Sequence, residues 1–279
     1  VYGDLTDALS TDHPIRIDHL LESVKLTRKE GENAGNGEFH ANLFAEAVSR
    51  PEIAAPQRPR LFSSAVTASD YRDRGRPSSW SSTVDRLAAD ADGSGQFPRL
   101  MVLSSGNTRE HAAWITYPDS LSTNLIHDPG QAWNALTVGA FTEKNETEIS
   151  SVEPVAPFGG PSPFTTTSAT WDRAWPLKPD VVFEGGNVGK DELGAAGMPS
   201  LNLLTTHFKP TEKLFTTTHA TSAASALCAR MAAQLMAAYP KLRPETIRAL
   251  IVHSAEWTDA MRQIYLPADK PPTKNDYAY

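Results

Sequence analysis

The chain has 279 residues, with 26 Lys and Arg against 33 Asp and Glu and a formal net charge of −7. That length carries a hydrophobic core without disulfide or metal staples, and the acidic balance lacks the basic excess of a nucleic-acid binder. Cys228 is the lone cysteine, which rules out an intrachain disulfide, and no apolar run reaches the ~20 residues of a membrane-spanning helix.

In chain order, the first 30 residues read as a short helix and then a strand. In the strand, Leu20, Val24 and Leu26 mix with charged residues between Arg16 and Leu26 as in a half-buried pleat. The Gly-rich, acidic stretch 30–38 reads as a surface loop. Leu43, Phe44, Ala47 and Val48 stand at helical spacing between Phe39 and Arg50, and Pro51 closes or kinks that helix. Leu61 to Thr67 is a short apolar run and suits a buried strand, 72–77 is a charged loop, and Ser78 or Ser79 caps a helix through Trp80, Val84 and Leu87.

Three more buried strands follow, at 99–103, 135–140 and 179–183, the first of them ending in Ser104-Ser105-Gly106-Asn107. The Pro- and Thr-rich stretch 154–170 reads as ordered loop. Strands with little polar alternation, separated by helices and loops, predict an α/β fold with a mainly parallel sheet covered on both faces. The last third is the most regular. Thr221 to Tyr239 is small or apolar on almost every face, which predicts a buried helix stopped by Pro240. Pro244 then sits in the first turn of a helix through Ile247, Leu250, Ile251 and His253, the histidine being read as part of the core.

Two positions carry the chemistry. Ser222 opens an apolar helix, where free N–H groups and the positive dipole end favour developing negative charge. This suits a nucleophilic hydroxyl and its oxyanion, although an ordinary capping serine occupies such a position too. Asn107 follows a buried strand and Gly106, at the carboxyl end where open α/β sheets place ligands. Its amide is a donor for a tetrahedral oxyanion, a contact worth about 2.7–4 kcal/mol; a plain Gly-Asn turn is the bland alternative.

Four segments together resemble the subtilase (subtilisin-like, S8) serine peptidases. Ser104-Ser105-Gly106-Asn107 is similar to the family's strand ending in Ala/Ser-Gly-Asn, and Asn134-Ala135-Leu136-Thr137-Val138-Gly139-Ala140 to its N-x-hydrophobic-x-V-G-A strand. Lys178-Pro179-Asp180-Val181-Val182-Phe183-Glu184-Gly185 resembles K-P-D-V-x-A-P-G, and Ala220-Thr221-Ser222-Ala223-Ala224 resembles G-T-S-M/A-A. The order is the family's, the likeness runs from about Ser63 to Trp257, and 74–80 with 252–257 point to a bacterial subgroup. The resemblance implies a serine endopeptidase with a subtilisin-like three-layer fold. It makes Ser222 the nucleophile and Asn107 the oxyanion donor, with Ser104, Ser105, Gly106, Val66 and Thr67 bordering the substrate cleft.

The departures are as informative. Ala220 stands where the family has Gly, which is tolerable only if that backbone needs no positive φ. The family activates its serine with an Asp in a D-T/S-G strand and a His in an H-G-T-x-x-A-G helix, and neither string occurs here. None of His13, His19, His40, His111, His127, His207, His219 and His253 is followed by Gly-Thr, and Asp4 and Asp18 lack the D-T/S-G context. The expectation is a single subtilase domain over 1–279, cut short at its N-terminus and also at its C-terminus, and inactive alone. A non-catalytic subtilase-like module that binds peptides is the alternative. No G-x-S-x-G elbow supports an unrelated hydrolase.

No cofactor is expected. No metal motif is present, though scattered carboxylates leave room for a structural calcium. The expected partner is a polypeptide substrate, with no nucleic acid and no membrane. Trp171 and Trp175 are read as loop or core packing. Oligomeric state, substrate preference and cellular location are not legible.

Overall fold

The computed structural model describes residues 2–15, 17–25, 40–68, 74–266 and 271. Helix α1 (Leu5–Leu9) is capped by Asp4, whose side chain accepts from the Thr6 N–H. Among the described residues no strand follows it before His40. Residues 17–25 have no regular structure, with Leu20 and Leu21 exposed by 88% and 74%. The mixed charged and apolar pattern there imitates a pleat, but a strand needs a neighbour for its backbone groups. Glu22 pairs instead with the side chains of Arg58 and Arg60. Leu26 and the stretch 30–38 lie outside the described residues.

Helix α2 (His40–Ala54) continues through Pro51 rather than closing at it. A proline near the last turn forfeits little bonding, and the Ala55 N–H still reaches the Pro51 carbonyl at 3.0 Å. Strand β1 (Leu61–Ser64) is shorter than the apolar run suggests. Helix α3 (Ser79–Ala88) starts at a capping box, in which the Ser81 N–H donates to Ser78 Oγ at 2.9 Å. Strand β2 (Leu100–Ser104), the short helix α4 (His111–Ile115) and strand β3 (Leu136–Thr142) come next. The Pro- and Thr-rich stretch is ordered loop around the two-residue strands β4 (Glu153–Pro154) and β5 (Gly160–Pro161). Strands β6 (Val181–Glu184), β7 (Val188–Asp191), β8 (Gly194–Gly197), β9 (Leu203–Thr206) and β10 (Phe215–Thr218) lead to helices α5 (Ala220–Ala238), α6 (Pro244–His253) and α7 (Asp259–Tyr265).

The central sheet runs β1-β2-β3, with β6 and β5 also on β3. β1–β2, β2–β3 and β3–β6 are parallel, and β3–β5 is antiparallel. Side-chain alternation along β2 explains the layers. Leu100 and Val102 join Leu136, Val138 and Ala140 under α5 and α6, against Ala224, Cys228, Ala232, Ile247 and Ile251. Met101 and Leu103 face the other way, onto Phe44 and Val48 of α2 and Trp80, Val84 and Ala88 of α3. Each such leucine, once buried, contributes roughly 1.5–3 kcal/mol. The result is the three-layer α/β arrangement expected, with a mainly parallel sheet.

One histidine falls elsewhere than expected. Ile247 and Ile251, four apart, take the buried face of α6, so His253 is turned to the exposed side. Lys178 and Asp180 show what the K-P-D segment does structurally. Buried Lys178 donates from Nζ to Asp180 Oδ2 at 2.7 Å and to the Ala135 carbonyl at 3.2 Å, while Asp180 Oδ2 also accepts from the Thr137 N–H at 2.7 Å. This ties the start of β6 to β3. Burial pushes the Lys178 ammonium below its ordinary value, against the pull of Asp180. Because the main strands are parallel, their carboxyl ends share one edge, and the start of α5 meets that edge.

Candidate active site

The chain enters α5 through a sharp turn. His219 is the N-cap, with an extended backbone, and Ala220 behind it has φ +65°. The sequence made Ala220 acceptable only without positive φ; the structure shows that the turn does need it. A left-handed conformation costs a residue with a Cβ roughly 1–2 kcal/mol. The methyl is offset by burial, since Ala220 is only 6% exposed, within a cluster of Trp114, Phe164, Val188 and Ala195. The Ala220 N–H donates to the Gly185 carbonyl at 2.6 Å. A Cβ at Gly185 would lie 2.5 Å from the Ala140 methyl and 3.1 Å from the Ala220 carbonyl oxygen, so only glycine lets β6 end this close to the turn.

Ser222 is therefore not a capping serine. It lies inside the first turn of α5, half-buried, and its N–H donates to nothing among the described residues. Such an unsatisfied N–H at a helix start favours negative charge. Ser222 Oγ likewise has no hydrogen-bond partner among the described residues, and Ser225 Oγ donates to the Ser222 carbonyl at 3.0 Å.

Asn107, far away in sequence, is bound to this same turn. Its Oδ1 accepts from the Thr221 N–H at 3.0 Å and from Thr221 Oγ1 at 2.7 Å, and Thr221 Oγ1 also lies 3.0 Å from the Gly106 carbonyl. A backbone N–H can only donate, so the atom facing it is the amide oxygen, and Nδ2 is turned away from Thr221. The strand end that carries Asn107 is held on its other side as well. Thr166 Oγ1 donates to the Ser105 carbonyl at 2.8 Å, and the Thr108 N–H to the Phe164 carbonyl at 2.9 Å.

The expected cleft residues divide. Ser104 and Ser105 are 1% and 0% exposed and Gly106 is buried too, whereas Val66 and Thr67 are half-buried beyond the end of β1. Sequence reasoning passed over His127. Its ring lies so close under Gly106 that a Cβ there would be 2.4 Å from His127 Cγ, and the His127 backbone N–H donates to the Ser105 carbonyl at 2.9 Å. The signal available was the glycine before Asn107, at φ +104°. Thr221 was read only as part of a motif, and its double bond to Asn107 had no local signature.

His219 is exposed and its ring rests on Phe164, with centroids 4.7 Å apart. Burial lowers its imidazole below the ordinary value, and no carboxylate contributes. His40 stacks on Trp80 at 4.8 Å. Asp4 is occupied in holding α1 down. Its Oδ1 accepts from the N–H groups of Thr6 and Leu204 at 3.0 and 2.9 Å, and Oδ2 lies 2.6 Å from Lys144 Nζ. Burial pushes its carboxyl up, but the bonds from Lys144, Thr6 and Leu204 outweigh this and hold it below the ordinary value. Glu184, at the end of β6, goes the other way. Burial raises it, despite its bonds from the Glu143 and Gly186 N–H groups, both at 2.6 Å.

Trp171 is buried and Trp175 half-buried, both against Gly75, in loop packing as expected. Among the described residues no group of three or more His, Cys, Asp or Glu is placed to hold a metal ion, and no helix is long and apolar enough to cross a membrane.

A family model described as "Subtilase family", the S8 peptidases, matches residues 6–277. A Sinorhizobium fredii protein described as "Uncharacterized protein y4bN" is 27% identical over 239 residues, covering 79% of this chain and 50% of that protein. The chain thus spans about half the length of this curated relative. A solved structure titled "S41 Psychrophilic Protease" aligns over 80% of this chain and 57% of its own, at 18% identity and a TM-score of 0.47.

Proposed function

That the chain belongs to the subtilase family is the premise from which we propose its activity: peptide-bond hydrolysis by a serine endopeptidase, with Ser222 as nucleophile. Ser222 Oγ attacks the scissile carbonyl carbon and its proton passes to a general base. The carbonyl oxygen becomes an oxyanion, which takes hydrogen bonds from Asn107 Nδ2 and the Ser222 N–H. Collapse returns the proton to the leaving amine and leaves an acyl ester on Ser222, which water then hydrolyses.

One observation supports this reading above the others. Asn107 Oδ1 accepts two hydrogen bonds from Thr221, the residue before Ser222. The amide donor is thereby fixed to the nucleophile's own turn, as electrostatic preorganisation requires. The substrate is a polypeptide, running past Val66 and Thr67.

The acid and base belong to the same proposal. Neither D-T/S-G nor H-G-T occurs in this sequence, so the 279 residues alone are proposed to turn over negligibly. A serine site lacking a triad member retains only about 10³–10⁴-fold over water. Peptide hydrolysis by the complete protein is the test. Activity abolished in Ser222→Ala and sharply reduced in Asn107→Ala supports the assignment. Undiminished hydrolysis by Ser222→Ala rejects it, and peptide binding without hydrolysis in the complete wild type leaves a binding module instead.

A further inference from the structure

Ala220 combines two features that rarely meet, a left-handed backbone at φ +65° and a side chain beyond hydrogen. The methyl belongs to a buried cluster with Trp114, Phe164, Val188 and Ala195. Within it Trp114 stands edge-on to Phe164, with centroids 5.5 Å apart. Trp114 comes from α4, which packs on β8, the strand that carries Ala195. The buried indole N–H of Trp114 finds no acceptor among the described residues, so shape rather than a polar contact accounts for its place.

We propose that Trp114 is a positioning residue: through this cluster it clamps the Ala220 methyl and holds the left-handed turn that presents Ser222. The inference rests on Ser222 being the nucleophile. A glycine adopts positive φ without help, so the clamp is needed only because position 220 carries a methyl. This dependence separates a clamp from general structural support, which a change at residue 220 leaves untouched.

The rate at which a fluorophosphonate modifies Ser222 in the complete protein tests it. Trp114→Leu slows labelling about tenfold, the factor that ~1.4 kcal/mol produces. Ala220→Gly alone stays within about twofold of wild type, and adding it to Trp114→Leu restores the rate to about that level. A folded Trp114→Leu protein labelling at the wild-type rate, or a double variant as slow as Trp114→Leu, overturns the clamp. If Trp114→Leu does not fold, Trp114→Phe replaces it; it slows labelling with Ala at 220 and not with Gly, and any other pattern overturns the clamp. Failure of the nucleophile reading looks different, because the wild type itself then carries no label on Ser222.

Discussion

The junction between β2 and α5 and the segment 2–25 are both built from the ends of elements, yet they are held in different ways. At the junction, residues more than a hundred positions apart are joined by short bonds from Thr221 to Asn107 and Gly106, among largely buried groups. Along 2–25 Asp4 and Glu22 are tied to Leu204 and to Arg58 and Arg60, yet large apolar side chains such as Leu20 and Leu21 stand in solvent. The contrast shows that Asn107 and the start of α5 are held together by bonds between the sheet edge and α5 themselves.

If that is right, substitutions at the junction act on catalysis and those along 2–25 act on stability. The largest effect is expected at Asn107: Asn107→Ala lowers kcat of the complete protein by about 10²–10³ with KM little changed. Thr221→Val comes next. It keeps the backbone N–H bond to Asn107 but removes the hydroxyl, whose one proton is shared between Asn107 Oδ1 and the Gly106 carbonyl, so about 1–3 kcal/mol of stability is lost in denaturant melts. kcat falls too, by less than in Asn107→Ala.

At the other region, the pH dependence of melting is diagnostic. The Asp4 carboxyl is held below its ordinary value of 3.8. Its contribution is therefore present above that value and lost as pH falls through the lowered one. Asp4→Asn accordingly melts lower at neutral pH and loses less on acidification than the wild type. Glu184 has the opposite sign, because burial raises its carboxyl. Its favourable contribution is present at acid pH and lost as pH rises through the raised value, and Glu184→Gln abolishes that loss. The smallest effect belongs to Leu20→Ser with Leu21→Ser, within about 0.5 kcal/mol by denaturant melts. A larger loss shows that segment 2–25 is more tightly bound than its exposure indicates.

How far the sequence foretold this differs by region for physical reasons. β2, β3 and β6 are legible because a parallel strand covered on both faces is a continuous apolar run. Ser222 and Asn107 are legible through short motifs that the family repeats. Residues 17–25 mislead because alternation records side-chain pattern, whereas a strand also needs a neighbour. His253 misleads because its helix is amphipathic, and two positions decide which side is buried. The positive φ of Ala220 and the pairing of Thr221 with Asn107 have no local signature, since both arise where β2, β6 and α5 converge.

The central claim, that Ser222 is the nucleophile at a preformed oxyanion site, is tested most directly by locating a fluorophosphonate adduct on the complete protein by peptide mass spectrometry. Attack by Oγ forms a phosphorus–oxygen bond and expels fluoride, so the adduct marks the activated hydroxyl. The adduct is predicted on the α5 peptide at Ser222, and absent from Ser222→Ala. An adduct at another residue that persists in Ser222→Ala, or no adduct at all on a protein that hydrolyses peptides, contradicts the assignment.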